Sequence, residues 1–180
     1  MEKILLFIFL INSINLQGTL GYCLSNPGAD NLNLKKISGI WYEIQRTPSL
    51  LQLNEECTYY NLIIANNNSI IIEGHSRDEI SGAKKSWNGI AIKNKNTGLY
   101  HFEGKYSHSN SEQCGILETD YDNYLIIYSC VSVSRSNYIL LAWLLGRSPQ
   151  LSQNHKDHYI DVLKSIQWPI ETININQINC

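Results

Sequence analysis

The chain has 180 residues, a formal net charge of −2 at pH 7 and 43% hydrophobic residues. This length suits a single domain, and no linker, repeat or low-complexity segment divides it. The small net charge and the lack of a basic run argue against nucleic acid or an anionic membrane as a partner.

The N-terminus has the layout of a signal peptide. An apolar run from Ile4 to Ile11 is followed by small and polar residues up to Gly21. The run is too short to span a bilayer. We therefore predict a signal peptide over residues 1–21, with cleavage after Gly18 as the alternative, and a secreted domain of 180 − 21 = 159 residues over 22–180.

The middle of the chain contains short segments rich in Ile, Tyr, Val and Leu, which predict β-strands. Eight strands can close a small barrel, and turn residues at 66–68 and 120–123 favour an up-and-down meander. The predicted strands are Trp41–Arg46, Thr58–Ala65, Ser69–Arg77, Ser86–Lys93, Leu99–Tyr106, Glu112–Thr119, Tyr124–Val131 and Tyr138–Gly146.

The periodicity changes after the last predicted strand. From Leu151 to Ile166, apolar and aromatic residues recur at helical spacing. We expect this helix to pack outside the barrel on Ala142 and Leu144, which alternate with Trp143. The predicted fold class is all-β, an eight-stranded antiparallel up-and-down barrel with one C-terminal α-helix packed outside.

Alternation along the strands predicts which side chains point inward. On two strands, aromatic and aliphatic residues share one face and can either fill the core or line a ligand pocket. In a barrel of this size we expect them to do both. These residues are Thr58, Tyr60, Leu62 and Ile64 on the second strand, and Tyr100, Phe102, Gly104 and Tyr106 on the fifth.

Three residues predict that one end of the barrel is closed. Gly39 lets the backbone turn tightly, so that Trp41 can cover that end. Arg147, at the end of the last strand, can stack its guanidinium on the indole, a contact worth about 0.5–2 kcal/mol. The opposite end is then left open for a ligand.

Three short motifs resemble those of the lipocalins, and within them the branch of apolipoprotein D and the insect bilin-binding proteins. Gly39-x-Trp41 is similar to the first lipocalin motif and Arg147 to the third. Thr119, Asp120 and Tyr121 are similar to the second. All three motifs mainly determine the fold, so the resemblance implies a cup and leaves its ligand open.

Five cysteines behind a secretory leader indicate disulfides with one thiol left over. Counting alone does not choose the pairs. The resemblance to the lipocalins implies bridges between Cys57 and Cys180 and between Cys23 and Cys130. The remaining thiol is at Cys114, where we expect a buried and inert position.

The resemblance also implies two pocket positions. Trp143 matches a pocket tryptophan of that branch, and Leu62 stands where a pocket tyrosine occurs. Together with the inward faces above, the predicted ligand-binding residues are Tyr60, Leu62, Tyr100, Phe102, Tyr106 and Trp143.

Sequence patterns typical of enzymes are missing. There is no G-x-S-x-G, H-E-x-x-H or glycine-rich phosphate loop. His155 and His158 have no third ligand in register, which favours a solvated helix face over a metal site. We therefore predict no enzymatic activity and no resident metal or cofactor. A non-covalently bound bilin is left open, and haem has weaker support because no histidine has an assigned inward position.

Two functions follow from this reasoning. The leading hypothesis is a secreted carrier that binds a small lipophilic ligand, such as a fatty acid, sterol, pheromone or bilin pigment. The alternative is an interaction protein whose open-end loops bind a protein or membrane surface. Leu50, Leu51 and Leu53 would serve that role if exposed, although we favour their folding back as a lid. A monomer or weak dimer is expected.

One N-x-[ST] sequon occurs in the sequence, at Asn67-Asn68-Ser69. It falls in a turn between two predicted strands, where an oligosaccharide would project into water. We therefore predict glycosylation of Asn67 in a eukaryotic host.

Overall fold

The computed structural model describes residues 23, 28, 32–104, 112–132 and 138–180. Their strands form a single antiparallel sheet in the order β2-β3-β4-β5-β6-β7-β8-β1-β9, which closes because β1 also pairs with β2. The elements are α1 (Leu34–Ile37), β1 (Gly39–Arg46), a 3₁₀ turn (Leu50–Gln52), β2 (Glu55–Asn66), β3 (Ser69–Asp78), β4 (Lys84–Lys93), β5 (Tyr100–Gly104), β6 (Glu112–Thr119), β7 (Tyr124–Ser132), β8 (Tyr138–Gly146), α2 (Gln153–Ser165) and β9 (Ile173–Asn174).

The eight strands predicted from the sequence are all present and form an up-and-down barrel, which confirms the predicted fold class. Because successive strands run antiparallel, their connections alternate between two ends. The connections 47–54 and 79–83 lie at what we call the open end. The turns 67–68, 94–99 and 120–123 lie at the closed end.

A bulge in β1 changes which side chains face the interior. The pairing of β1 with β8 shifts between Glu43 and Gln45, so that Arg46 lies opposite Trp143. Gln45 instead donates to Asn174 on the neighbouring β9, at 3.0 Å. Glu43 and Arg46 therefore both point into the barrel. Strict alternation from Trp41 predicts this for Glu43 but places Arg46 on the outer face.

Helix α2 packs against the outside of the barrel. Tyr159 and Leu163 on the helix and Ala142 and Leu144 on β8 are all buried in one apolar cluster. The two strand residues are those expected from the sequence. The helix begins at Gln153, two residues later than its predicted start, because Ser152 has the extended backbone of an N-cap.

Two disulfides link the termini to the barrel. Cys57 is joined to Cys180 and Cys23 to Cys130, as the family resemblance implies. They close separations of 123 and 107 residues, for which chain entropy predicts a stabilisation of about 4–5 kcal/mol each. The thiol of Cys114 is half-buried on β6 and donates to the carbonyl of Tyr100 at 3.4 Å.

The β2–β3 turn carries the predicted glycosylation site on its surface. Asn67 is exposed, and the Asn68 amide donates to the side-chain oxygen of Asn66 at 2.8 Å. The predicted signal peptide and Tyr106 lie outside the described residues. Within those residues, neither helix has the length and apolar character needed to cross a membrane.

Candidate ligand-binding cavity

A cavity occupies the barrel interior, with about 1060 Å³ of empty space when its open mouth is included. It extends from Ile37 beside the closed end to Leu51 in the open-end loop. Aliphatic and aromatic side chains from strands β2 to β8 form its wall. No formal charge occurs on the lining side chains in the described part of the chain. Size and lining are typical of a site for a small apolar molecule.

Aromatic rings form one side of the wall. Trp87 contacts Tyr60 and Phe102 edge-on, with centroid separations of 6.0 and 5.8 Å. The rings lie close to the sheet because glycines face them. A Cβ on Gly74 would be 2.2 Å from the Trp87 ring, and one on Gly89 would be 2.5 Å from Phe102. These glycines keep both rings against the wall, so the centre of the barrel stays open.

A buried polar network lies beside the cavity at the open end. Arg46 donates to a Glu43 carboxylate oxygen and to the Gln52 carbonyl, both at 2.5 Å. The other oxygen of Glu43 accepts from Gln52 at 3.2 Å and from the Tyr60 hydroxyl. The Trp143 indole donates to the Gln52 side-chain oxygen at 2.9 Å. The network therefore fastens the open-end loop to three strands of the barrel.

Burial controls the protonation of this network. Desolvation raises the pKa of Glu43, although Arg46 and the hydrogen bonds from Tyr60, Arg46 and Gln52 oppose the shift. Desolvation also raises the pKa of Tyr60, and the nearby Glu43 carboxylate adds to that effect. Removing one partner of a buried ion pair such as Arg46–Glu43 typically lowers the stability of the fold by about 3–5 kcal/mol, because the other charge is left without compensation.

The leucines of the open-end loop divide between the two expected positions. Leu51 folds into the cavity wall, as a lid would, and its amide donates to the Ser49 hydroxyl at 3.2 Å. Leu50 and Leu53 are 88% and 61% exposed. The expected lid is therefore right for Leu51 and wrong for Leu50 and Leu53, because the 3₁₀ turn points successive side chains in different directions.

The closed end has the geometry that the first and third motifs predict. Trp41 is fully buried, and its indole donates to the Ile37 carbonyl at 2.8 Å. The Arg147 guanidinium stacks 3.7 Å above that ring. Gly39 has φ +97°, a backbone conformation that favours glycine, and a Cβ there would be in van der Waals contact with the Arg147 guanidinium at 3.4 Å. Arg147 also donates to four main-chain carbonyls around the closed end, those of Lys36, Ser38, Ile40 and Tyr121.

The second motif builds the turn between β6 and β7. One Asp120 oxygen accepts from three successive backbone amides, at 2.8 to 3.1 Å. The Thr119 hydroxyl accepts from the Tyr121 amide at 2.9 Å and donates to the Tyr124 carbonyl at 2.6 Å. Because the turn presents the Tyr121 carbonyl to Arg147, the second motif supports the third.

The structure places most of the predicted pocket residues on the cavity wall. Tyr60, Leu62, Tyr100, Phe102 and Trp143 all line it. Sequence reasoning did not identify most of the other lining residues, among them Ile37, Gln52 and Trp87. Trp87 shares one face of β4 with the small residues Gly89 and Ala91. This pattern could have identified Trp87 as inward-facing. Gln52 gave no such signal because it lies in a loop.

The two helix histidines pack against the barrel exterior. His158 lies 2.8 Å from Glu118, and the His155 ring contacts the Tyr124 ring with a centroid separation of 5.4 Å. Tyr124 also donates to Glu118. No group of three or more His, Cys, Asp or Glu suited to a metal ion occurs in the described ranges. None of the four histidines in those ranges lines the cavity.

Comparison with known proteins identifies the family. The chain matches the Lipocalin / cytosolic fatty-acid binding protein family over residues 38–178. It is 28% identical to apolipoprotein D of Bos taurus over 164 residues, covering 89% of this chain and 85% of that protein. It is 28% identical to the Lazarillo protein of Schistocerca americana over 167 residues, covering 89% of this chain and 76% of that protein.

The fold matches solved structures as well. The crystal structure of lobster apocrustacyanin A1 aligns with a TM-score of 0.71 and 22% sequence identity, covering 81% of this chain and 79% of that chain. At this level of identity the alignment shows the fold. The sequence relatives confirm the resemblance drawn from the three motifs. The chain therefore belongs to the Lipocalin / cytosolic fatty-acid binding protein family.

Proposed function

We propose that this protein is a secreted carrier that holds a small lipophilic ligand in the barrel cavity. The observation that carries the proposal is the apolar, aromatic-lined cavity that reaches the open end of the barrel. Family membership supports the same role at the level of a small-ligand carrier. The proposal includes no catalytic step.

The size of the hydrophobic driving force is sufficient for a carrier. Micromolar affinity corresponds to a net gain of about 8 kcal/mol. The lost translational and rotational freedom of the ligand costs at least ~4 kcal/mol. The ligand must therefore gain about 12 kcal/mol from burial, which corresponds to ~480 Å² of apolar surface at ~25 cal/mol/Å².

Native mass spectrometry of protein secreted from a eukaryotic host tests the carrier role. We expect a bound small molecule that is released on denaturation. A visible absorption spectrum of the same material tests for a bilin, which would give a blue-green band. Protein that carries no ligand and does not enhance the fluorescence of N-phenyl-1-naphthylamine, an uncharged lipophilic probe, would contradict the proposal.

The alternative role, docking on a membrane or protein surface, has one specific observation in its favour. Leu50, Leu53 and Ile80 all lie in connections at the open end, and Ile80 is 80% exposed. Co-sedimentation with phosphatidylcholine vesicles tests membrane docking. The double substitution Leu50→Ser and Leu53→Ser should then abolish sedimentation. Ile92→Ser is the matched control, because Ile92 is 39% exposed near the closed-end terminus of β4, away from the tested surface.

Secretion belongs to the same proposal. Disulfides form and persist in oxidising compartments, and this structure contains two of them. The proposed signal peptide over residues 1–21 would direct the chain there. N-terminal sequencing of the secreted protein tests this boundary. A mature chain that begins after Gly18 would select the alternative cleavage site, and retention of Ile4–Ile11 would contradict the signal peptide.

A further inference from the structure

We propose that the cavity selects uncharged lipophiles with a hydrogen-bonding oxygen and discriminates against ligands of the same size that carry a carboxylate. This inference rests on the proposed carrier function and narrows its ligand class. It predicts that neutral alcohols, ketones or esters bind better than fatty acids and acidic pigments. The charges that border the cavity and the polar groups in its wall determine this preference.

Among the residues that the structure describes, the cavity lining offers no counter-ion for an acid. The described residues of the wall are apolar or carry neutral polar groups. A carboxylate moved from water into such a site loses its hydration, and it regains little unless a cation or several donors meet it. An uncharged oxygen loses far less hydration and needs only one partner. The wall therefore favours neutral ligands over ionised ones of the same shape.

The charge of the arginine beside the cavity is already paired, although its Nε has no hydrogen-bond partner in the described structure. Arg46 contacts the lining residue Gln52, but its guanidinium is balanced by the Glu43 carboxylate at 2.5 Å. Both oxygens of that carboxylate accept hydrogen bonds, and the Gln52 side chain spans Glu43, Tyr60 and Trp143. The pair is therefore electrically neutral as a unit and presents no net positive charge to a ligand.

Arg77, at the open end of β3, is paired in the same way. Its guanidinium lies 2.8 Å from Glu56 and also donates to the Asn179 carbonyl at 3.1 Å. Lys85, near the start of β4, lies 2.9 Å from Asp78. Lys93 pairs with Tyr100 in the sheet, but it is not part of the cavity lining. The charges of Arg77 and Lys85 are therefore compensated within the protein, and Lys93 lies outside the cavity lining.

Tyr100 supplies the neutral hydrogen-bonding group. It lines the cavity, is 5% exposed, and its hydroxyl has no hydrogen-bond partner in the described structure. A buried hydroxyl without a partner is costly, and a ligand oxygen would relieve that cost. Cys114 and Ser129 lie in the same cross-strand row and also line the cavity. This row is one polar part of a mostly apolar wall; Ser49 and Gln52 form another in the open-end loop.

A set of matched ligands tests the charge selection. Decan-1-ol, decanoate and decylamine share one chain and at about pH 7 are neutral, anionic and cationic. Each competes with N-phenyl-1-naphthylamine for the wild-type cavity. We expect decanol to displace the probe with an affinity at least about tenfold higher than decanoate. Comparable displacement by decanoate and decanol would overturn the charge selection, whatever the behaviour of decylamine.

The design separates the two proposals. If the probe does not bind and decanol has no effect on it or on thermal stability, the carrier function itself fails. If the probe binds and all three ligands displace it equally, the carrier function stands and only the charge selection fails. A higher affinity for decanoate than for decanol would show that a cation reaches the ligand, and Lys93→Met would identify it if that preference disappeared.

A pair of tyrosine substitutions tests the hydrogen-bonding group. Tyr100→Phe removes the hydroxyl and keeps the ring, so decanol affinity should fall about three- to tenfold. Tyr159→Phe is the matched control, because that hydroxyl is also buried without a partner but belongs to α2, which packs against the outside of the barrel. Equal decanol affinity in both variants and wild type would overturn the role of Tyr100. Thermal unfolding checks that both variants fold.

Discussion

Alanine substitution of two tryptophans should separate stability from ligand binding. Trp41 closes the barrel, and Trp143 lines the cavity. We expect Trp41→Ala to destabilise the fold strongly. We expect Trp143→Ala to unfold at only modestly lower denaturant and to lose most of its affinity for a lipophilic probe.

The magnitudes follow from the contacts of each ring. Trp41 is 0% exposed, and its loss also removes the partner of the Arg147 guanidinium 3.7 Å away. Removing a buried tryptophan costs about 3–5 kcal/mol, and the lost cation–π contact about 0.5–2 kcal/mol. Trp143 is half-buried because one face borders the empty cavity, so its truncation enlarges a space that already exists.

Urea unfolding measures the first effect, and titration with N-phenyl-1-naphthylamine measures the second. With an m-value of about 2 kcal/mol/M, a loss of 4 kcal/mol lowers the unfolding midpoint by about 2 M. Tyr59→Ala is a suitable control, because Tyr59 lies on the outer face of β2 and stacks on His75. The reasoning is refuted if Trp41→Ala unfolds at the wild-type midpoint, or if Trp143→Ala binds the probe normally.

Three further predictions concern a thiol, a hairpin and a glycan. The Cys114 thiol lines the cavity, so a saturating ligand should slow its alkylation by iodoacetamide. Mass spectrometry measures the alkylation rate, and an unchanged rate would place the ligand elsewhere. Hydrogen bonds from Ser81 and Lys85 hold the pKa of Asp78 well below its usual range. The ionised Asp78 therefore stabilises the folded state above about pH 4, and this stabilisation is lost as the pH falls below that value. Asp78→Asn should flatten the acid limb of the plot of unfolding free energy against pH. An Asp78→Asn curve that stayed parallel to wild type would contradict this. Asn67→Gln should remove an N-glycan from secreted protein, seen as a mass loss; an unchanged mass would show that the exposed sequon is unused.

The sequence predicts the barrel well because its signals are local. Each strand is a short run with alternating character, and each turn contains residues that tolerate turn geometry. The closed end is equally readable, since Gly39, Trp41 and Arg147 each have a role that few other residues can perform. In the structure the glycine has a positive φ and the guanidinium lies on the indole, as those residue types require.

The polar network beside the cavity is the part that sequence reasoning did not find. Its geometry depends on the β1 bulge, which places both Glu43 and Arg46 inside the barrel. A one-residue register shift leaves no mark on the hydrophobic pattern, because charged residues near a strand end are usually exposed. Gln52 was missed for a related reason, since a loop has no periodicity from which to infer direction. Contacts between distant parts of the chain set both positions. Arg46 lies opposite Trp143 on β8, and Gln52 bonds to side chains on three strands.

The positions of the arginines connect the fold to the ligand class. Among the residues that the structure describes, two arginines lie close to the barrel interior, Arg46 at the open end and Arg147 at the closed end, and both are engaged by the protein itself. Arg147 spreads its charge over an indole and four carbonyls, and Arg46 is neutralised by Glu43. A cation that stabilises a buried strand end in this way is not available to a ligand, because releasing it would leave Glu43 buried and unpaired. The same contacts therefore stabilise the two ends of the barrel and keep both guanidiniums from a ligand, which is why we propose that the apolar wall of the described residues selects the ligand.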